Sequence, residues 1–194
     1  MYFKFSLNFK KSERNGGFSL VELLVALSII ILLSTVVISR FSQFKLQVSL
    51  TKVAYKFAQD TRKAQGLALS SAQYRDASGA LQSVKGYGVY ADQLNNKKYI
   101  IYADKAPGTQ NYDVADYIVE TVDFSSIEPG IIIKEVDNVV GQTVSINFTP
   151  PNPSTTITQL VPGQSRVDVV FALASDQTKT KTVSINTAGL VEVK

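Results

Sequence analysis

Glu22 stands four residues after Phe18, inside an apolar run that extends from Phe18 to Ile38. A charge at the centre of a bilayer helix costs roughly 2.5–3.5 kcal/mol on insertion scales. Carboxylates kept at such positions face a protein interior, pair with another charge or lie on a proton or ion path. Glu22 is close to one end of the run, so it can also snorkel to the headgroups.

Other residues that could do chemistry are few. The chain has no His and no Cys. That removes the commonest general base, the thiolate nucleophile and any disulfide framework. The stretches "GQTVS" and "PGQS" read as turns, not phosphate cradles. No catalytic residue, cofactor or metal is expected. The loop "ADKAPGTQNYDVAD" holds Asp104, Asp113 and Asp116, oxygen ligands of the kind that suit Ca²⁺, but the spacing matches no EF-hand loop and a solvated loop is the plainer reading. Lys179 and Lys181, with Lys194, could touch phosphate. Base stacking would need exposed aromatics beside them. Tyr87, Tyr90, Tyr99 and Tyr102 alternate as packed strand residues do, and lysines on strand edges also block unwanted pairing.

The run Phe18–Ile38 covers roughly 30 Å at about 1.5 Å per helical residue, the hydrocarbon thickness of a bilayer. Its polar members are Ser19, Glu22, Ser28, Ser34 and Thr35. Lys4, Lys10, Lys11 and Arg14 precede it against Glu13, a net of +3 that leaves +1 of the overall +4 for everything after residue 17. The pI of about 9.2 is thus largely a property of the leader, and nucleic acid is not an expected partner of the folded part. The basic flank keeps the N-terminus cytoplasmic and sends the rest across. A secretory signal peptide has a shorter apolar stretch with small residues after it; here Gly16 and Gly17 come before. An uncleaved signal anchor accounts for length and orientation, but not for Glu22.

The stretch "GGFSLVELLVALSII" resembles the leader of type IV pilins and type II secretion pseudopilins. The resemblance implies cleavage by a prepilin peptidase between Gly17 and Phe18, N-methylation of Phe18, and a role for Glu22 in assembly. It implies, as partners, other pilin or pseudopilin subunits, the peptidase/methyltransferase, an inner-membrane assembly platform and membrane lipid. Freed by cleavage, the α-ammonium of Phe18 in one subunit could meet the Glu22 carboxylate of a neighbour. Each charge would relieve the other's desolvation and set the axial register.

The helix is expected to continue past the membrane to about Ser71. Leu50, Val53, Ala54, Phe57, Ala58, Ala64, Leu67 and Ala68 recur at steps of three and four, and Lys45, Lys52, Lys56, Arg62 and Lys63 take the solvent side. Gly66 either costs about 1 kcal/mol or permits close packing. From Gly86 onward short β-branched and aromatic runs predict strands at 86–91, 97–103, 117–124, 130–136, 143–149, 166–174, 181–186 and 189–194. Asn95–Asn96 and "NTAG" read as hairpin turns, and Pro150, Pro151, Pro153 and Pro162 punctuate a loop.

The expected fold is α+β and pilin-like: a long N-terminal helix packed on one face of an antiparallel sheet. The segments are a leader at 1–17, an apolar helix at 18–40, its amphipathic half at 41–75 and an exported β-rich domain at 76–194. The order of elements and the closing "KTVSINTAGLVEV" are similar to the H-type (GspH/FimT-like) minor pseudopilins. A DNA-binding pilin of an uptake pilus, or a surface adhesin on a single membrane helix, stands as the alternative.

Overall fold

The computed structural model describes residues 17–105, 107–150 and 154–194, without the side chains at 39, 40, 42 and 43. The leader's Lys4, Lys10, Lys11, Glu13, Arg14 and Gly16, and Pro151 and Pro153 of the proline loop, lie outside the described residues. The chain divides into two compact units, Met1–Ser42 and Gln43–Lys194.

Helix α1 runs Leu20–Leu69. Its sequence contains no Pro and only Gly66, so no backbone break is built in. In the first unit its side chains are exposed, from Phe18 through Ile38. Ser28 and Thr35 donate their hydroxyls to the Leu24 and Ile31 carbonyls one turn back, at 2.8 Å each. Two of the polar residues in the run are therefore satisfied within the helix, as an apolar medium requires. At the other end the helix stops on Ser71, which takes a left-handed φ of 47°. The Ala72 amide bonds the Leu67 carbonyl and the Ser71 amide bonds the Ala68 carbonyl, closing the last turn.

The second unit is built from β1 (Tyr74–Arg75), β2 (Leu81–Gln82), β3 (Val84–Asp92), β4 (Lys98–Lys105), β5 (Tyr117–Asp123), the short helix α2 (Phe124–Ile127), β6 (Ile131–Asp137), β7 (Thr143–Thr149), β8 (Ser154–Ile157), β9 (Arg166–Leu173), β10 (Asp176–Asn186) and β11 (Val191–Val193). These form not one sheet but a five-stranded sheet, β5-β4-β3-β7-β8, and a four-stranded sheet, β11-β10-β9-β6, with β1-β2 as a small ribbon. Every pairing between strands is antiparallel. An N-terminal helix followed by antiparallel sheets is the expected α+β arrangement, consistent with a pilin-like fold.

The helical stripe packs across both sheets, which corrects the single-sheet expectation. The Phe57 ring meets Tyr99 of β4 edge-on at 4.9 Å and Phe171 of β9 at 5.3 Å. Phe124, opening α2, touches both Tyr99 and Phe171 at 5.8 Å. One aromatic cluster thus joins helix, five-stranded sheet and four-stranded sheet. Leu50, Val53, Ala54, Ala58, Ala64 and Ala68 are buried as the spacing predicts, while Leu67 is half-buried. The basic residues do more than face solvent. Lys52 pairs with Glu128, Lys63 with Glu120, and Arg62 donates to the Val191 carbonyl of β11. Gly66 is exposed, with open space where a Cβ would stand, so it does not serve close packing.

The predicted strands form, with shifted ends. Residues 143–149 match as read; β10 begins at Asp176 rather than 181, and Phe124 leaves β5 to start α2, where Asp123 caps the Ser125 amide. The proline loop contains a strand that was not expected: β8 pairs with β7 and turns Thr155 and Ile157 inward. In "NTAG" the Asn186 side chain accepts from the Ala188 and Leu190 amides, and Gly189 takes φ 82°.

Candidate processing and assembly site

The N-terminal residues of the predicted site lie together at the start of α1. Gly17 lies in coil, with open space where a Cβ would stand, and Phe18 is 82% exposed. Ser19 is the residue before the helix, and its hydroxyl accepts the Glu22 amide at 3.1 Å. The Ser19 carbonyl accepts the first helical bond, from Leu23, at 3.2 Å. Ser19 is therefore the N-cap and Glu22 the third helical residue, the positions of Ser and Glu in a capping box. The helix dipole also favours a carboxylate in this first turn. The sequence signal, Ser-x-x-Glu before an apolar run, was present at residues 19–22 and went unread. In a single chain, this end of the helix is exposed and held open by its own cap.

The loop carboxylates serve the loop. Asp116 accepts the Lys105 and Asp113 amides, each at 2.9 Å, and Asp113 accepts the Ala115 amide at 2.7 Å. Asp104 accepts the Gln110 amide at 3.1 Å and the Asn147 amide group at 3.4 Å. Among the described residues no three carboxylates form a metal cluster. This loop folds over the outer face of the five-stranded sheet: the Tyr112 amide donates to the Ser145 hydroxyl, and the Tyr102 hydroxyl to the Gln110 carbonyl. Beneath it Asp104 is buried with its Oδ1 unpartnered. Burial, reinforced by Asp116 and Asp113, pushes its carboxyl above the usual carboxylate range. Gly88 is needed under the same loop, since a Cβ there would stand 2.6 Å from the Tyr102 ring.

The lysines separate. Lys179 and Lys181 flank the helix near Gln47 and Thr51. Lys194 follows β11 opposite Thr182, so its side chain takes the face opposite to that of Val183 and Val193. Of the four tyrosines, Tyr87 and Tyr99 enter the core and Tyr90 and Tyr102 take the opposite face, against Tyr112.

A family model described as the prokaryotic N-terminal methylation motif matches residues 13–38. The chain carries this methylation motif. The match spans Gly17, Phe18, Ser19 and Glu22, and it ends where the apolar segment Leu20–Ile38 ends, the one stretch among the described residues long and apolar enough to cross a membrane. It is consistent with the type IV pilin and pseudopilin family, and it supports a structural subunit with a single-pass anchor that interacts with other pilins and with a prepilin peptidase. Curated proteins give no match to the chain, and neither do solved structures.

Proposed function

We propose that this chain is a non-catalytic structural subunit, a minor pilin or pseudopilin, of a type IV pilus or a type II secretion pseudopilus. It is made with a leader at 1–17, held in the inner membrane by 18–40 with the N-terminus cytoplasmic, and exports 76–194 beyond an amphipathic helical half at 41–75. A prepilin peptidase cuts between Gly17 and Phe18, and Phe18 is N-methylated. The observation that carries this reading is the coincidence of the methylation motif with a helical segment, residues 20–38, whose apolar surface is exposed throughout.

Glu22 is the assembly carboxylate. In a bundle of such helices it meets the α-ammonium of Phe18 of a neighbouring subunit, and neighbouring helices replace lipid around the apolar segment. Replacing Glu22 by Ala should leave the chain in the membrane fraction and remove it from sheared filaments. Unchanged filament incorporation of the variant would contradict the pairing.

A further inference from the structure

Two clefts flank the first helical residues of the second unit, and among the described residues their lysines make no salt bridge, with Asp176 near Lys179 as the one acid that lines them. One, of about 310 Å³, is lined by Lys179 and Lys181 of β10 with Gln47, Leu50, Thr51, Thr178 and Thr180. The other, of about 260 Å³, adjoins it and is lined by Gln47, Ser175, Asp176 and Lys179 with Leu46 and Leu173. Among the described residues Lys179 and Lys181 make no salt bridge, whereas Lys52 is held by Glu128. The acid at this end, Asp176, has its Oδ1 engaged by the Thr178 amide and hydroxyl. Two ammonium groups outside any salt bridge, an amide side chain and hydroxyls around one open cleft are a donor set for phosphate.

The chain itself says where such a phosphate would come from. Leu46 is eight residues beyond Ile38, the end of the apolar segment. Eight residues rise about 12 Å in a helix and reach about 29 Å at most when extended. The chain thus keeps the cleft within that reach of whatever surface the segment emerges from, where phosphodiester headgroups are at high effective concentration.

We propose that Lys179 and Lys181 hold the phosphate of an anionic phospholipid while the subunit waits in the bilayer. This rests on the membrane-anchor reading above. Nucleic acid fits less well, because the outer-face tyrosines Tyr90 and Tyr102 pack with Tyr112 under a loop and the cleft itself has no aromatic lining.

The test uses the full chain in nanodiscs of phosphatidylcholine, with or without phosphatidylglycerol. The rate of lysine acetylation is read residue by residue by mass spectrometry, with the hairpin lysines Lys97 and Lys98 as internal reference. Lys179 and Lys181 should react about fivefold more slowly in the discs with phosphatidylglycerol, the order of enrichment an anionic surface gives one lysine. The protection should vanish near 1 M salt. Equal rates in the two discs would overturn the headgroup site while leaving the anchor intact. Protection in phosphatidylcholine discs by free glycerol phosphate, or by an oligonucleotide, at concentrations below those of the headgroup would overturn the lipid assignment. A chain that enters neither disc would remove the anchor and this proposal with it.

Discussion

The Tyr99 hydroxyl donates to Asp60 Oδ2 at 2.5 Å, and this bond pins the helix to β4 of the five-stranded sheet. Lys56, one turn earlier, reaches the same carboxylate at 2.6 Å, so a nearly buried acid is held between a phenol and an ammonium. Burial and the adjacent Asp60 keep the Tyr99 phenol protonated, well above its ordinary range. Replacing Tyr99 by Phe removes one bond and leaves Asp60 paired with Lys56; replacing Asp60 by Ala strands both donors. The first should cost about 1 kcal/mol and the second about 2–3 kcal/mol, read as shifts in urea midpoint at constant slope.

Two glycines should respond in opposite directions to the same change. Gly66→Ala meets open space on an exposed helical turn and should stabilise by about 0.5–1 kcal/mol. Gly88→Ala drives a methyl into the Tyr102 ring and the Ile146 carbonyl, and should destabilise by about 1–3 kcal/mol. Thermal unfolding of the two variants beside the parent reads both signs.

Asp104 gives the second unit a distinct pH dependence. Its carboxyl sits above the usual range because burial disfavours the charged form. The folded state therefore binds the proton more tightly than the unfolded chain. That stabilisation is complete below the ordinary carboxylate pKa of about 4 and is lost as pH rises through the folded value. Replacing Asp104 by Asn removes the group, so the parent should lose stability relative to the variant as pH rises above about 4. A parent that gains on the variant over that range would refute the burial argument.

Capping and charge pairing at the N-terminus are separable. Ser19→Ala removes the hydroxyl that accepts the Glu22 amide and should cost about 1 kcal/mol of local helix stability while keeping the carboxylate. Glu22→Gln keeps the backbone bond and a polar side chain but removes the charge. If the carboxylate serves assembly, Glu22→Gln lowers the fraction of chain recovered in filaments and Ser19→Ala does not. The reverse order would assign Glu22 to the cap.

What could be read from the residues followed the strength of the local pattern. Leu50, Val53, Ala54, Phe57 and Ala58 keep helical spacing, and "TVSINFT" alternates cleanly, so helix and strand were legible there. β8, "STTI", is polar and sits beside prolines; it becomes a strand only because β7 offers its edge, a tertiary fact. The division into two sheets was equally hidden, since strand order depends on pairings such as β3 with β7 and β6 with β9, far apart in sequence. Nothing in its local sequence marks Asp60 as a buried acid; Tyr99, which covers it, arrives from β4, 39 residues further on. At the candidate site the signal is local instead: Gly17, Phe18 and Glu22 lie within six residues, and the Ser19 cap is written in the same stretch by the Ser-x-x-Glu spacing of residues 19–22.

The most direct measurement is the mass of the N-terminal peptide of the protein purified from its own membrane. Cleavage after Gly17 with one added methyl group on Phe18 is the expected result. A functioning protein that retains Met1 and its basic leader would have no free Phe18 amine to meet Glu22, and would contradict the account.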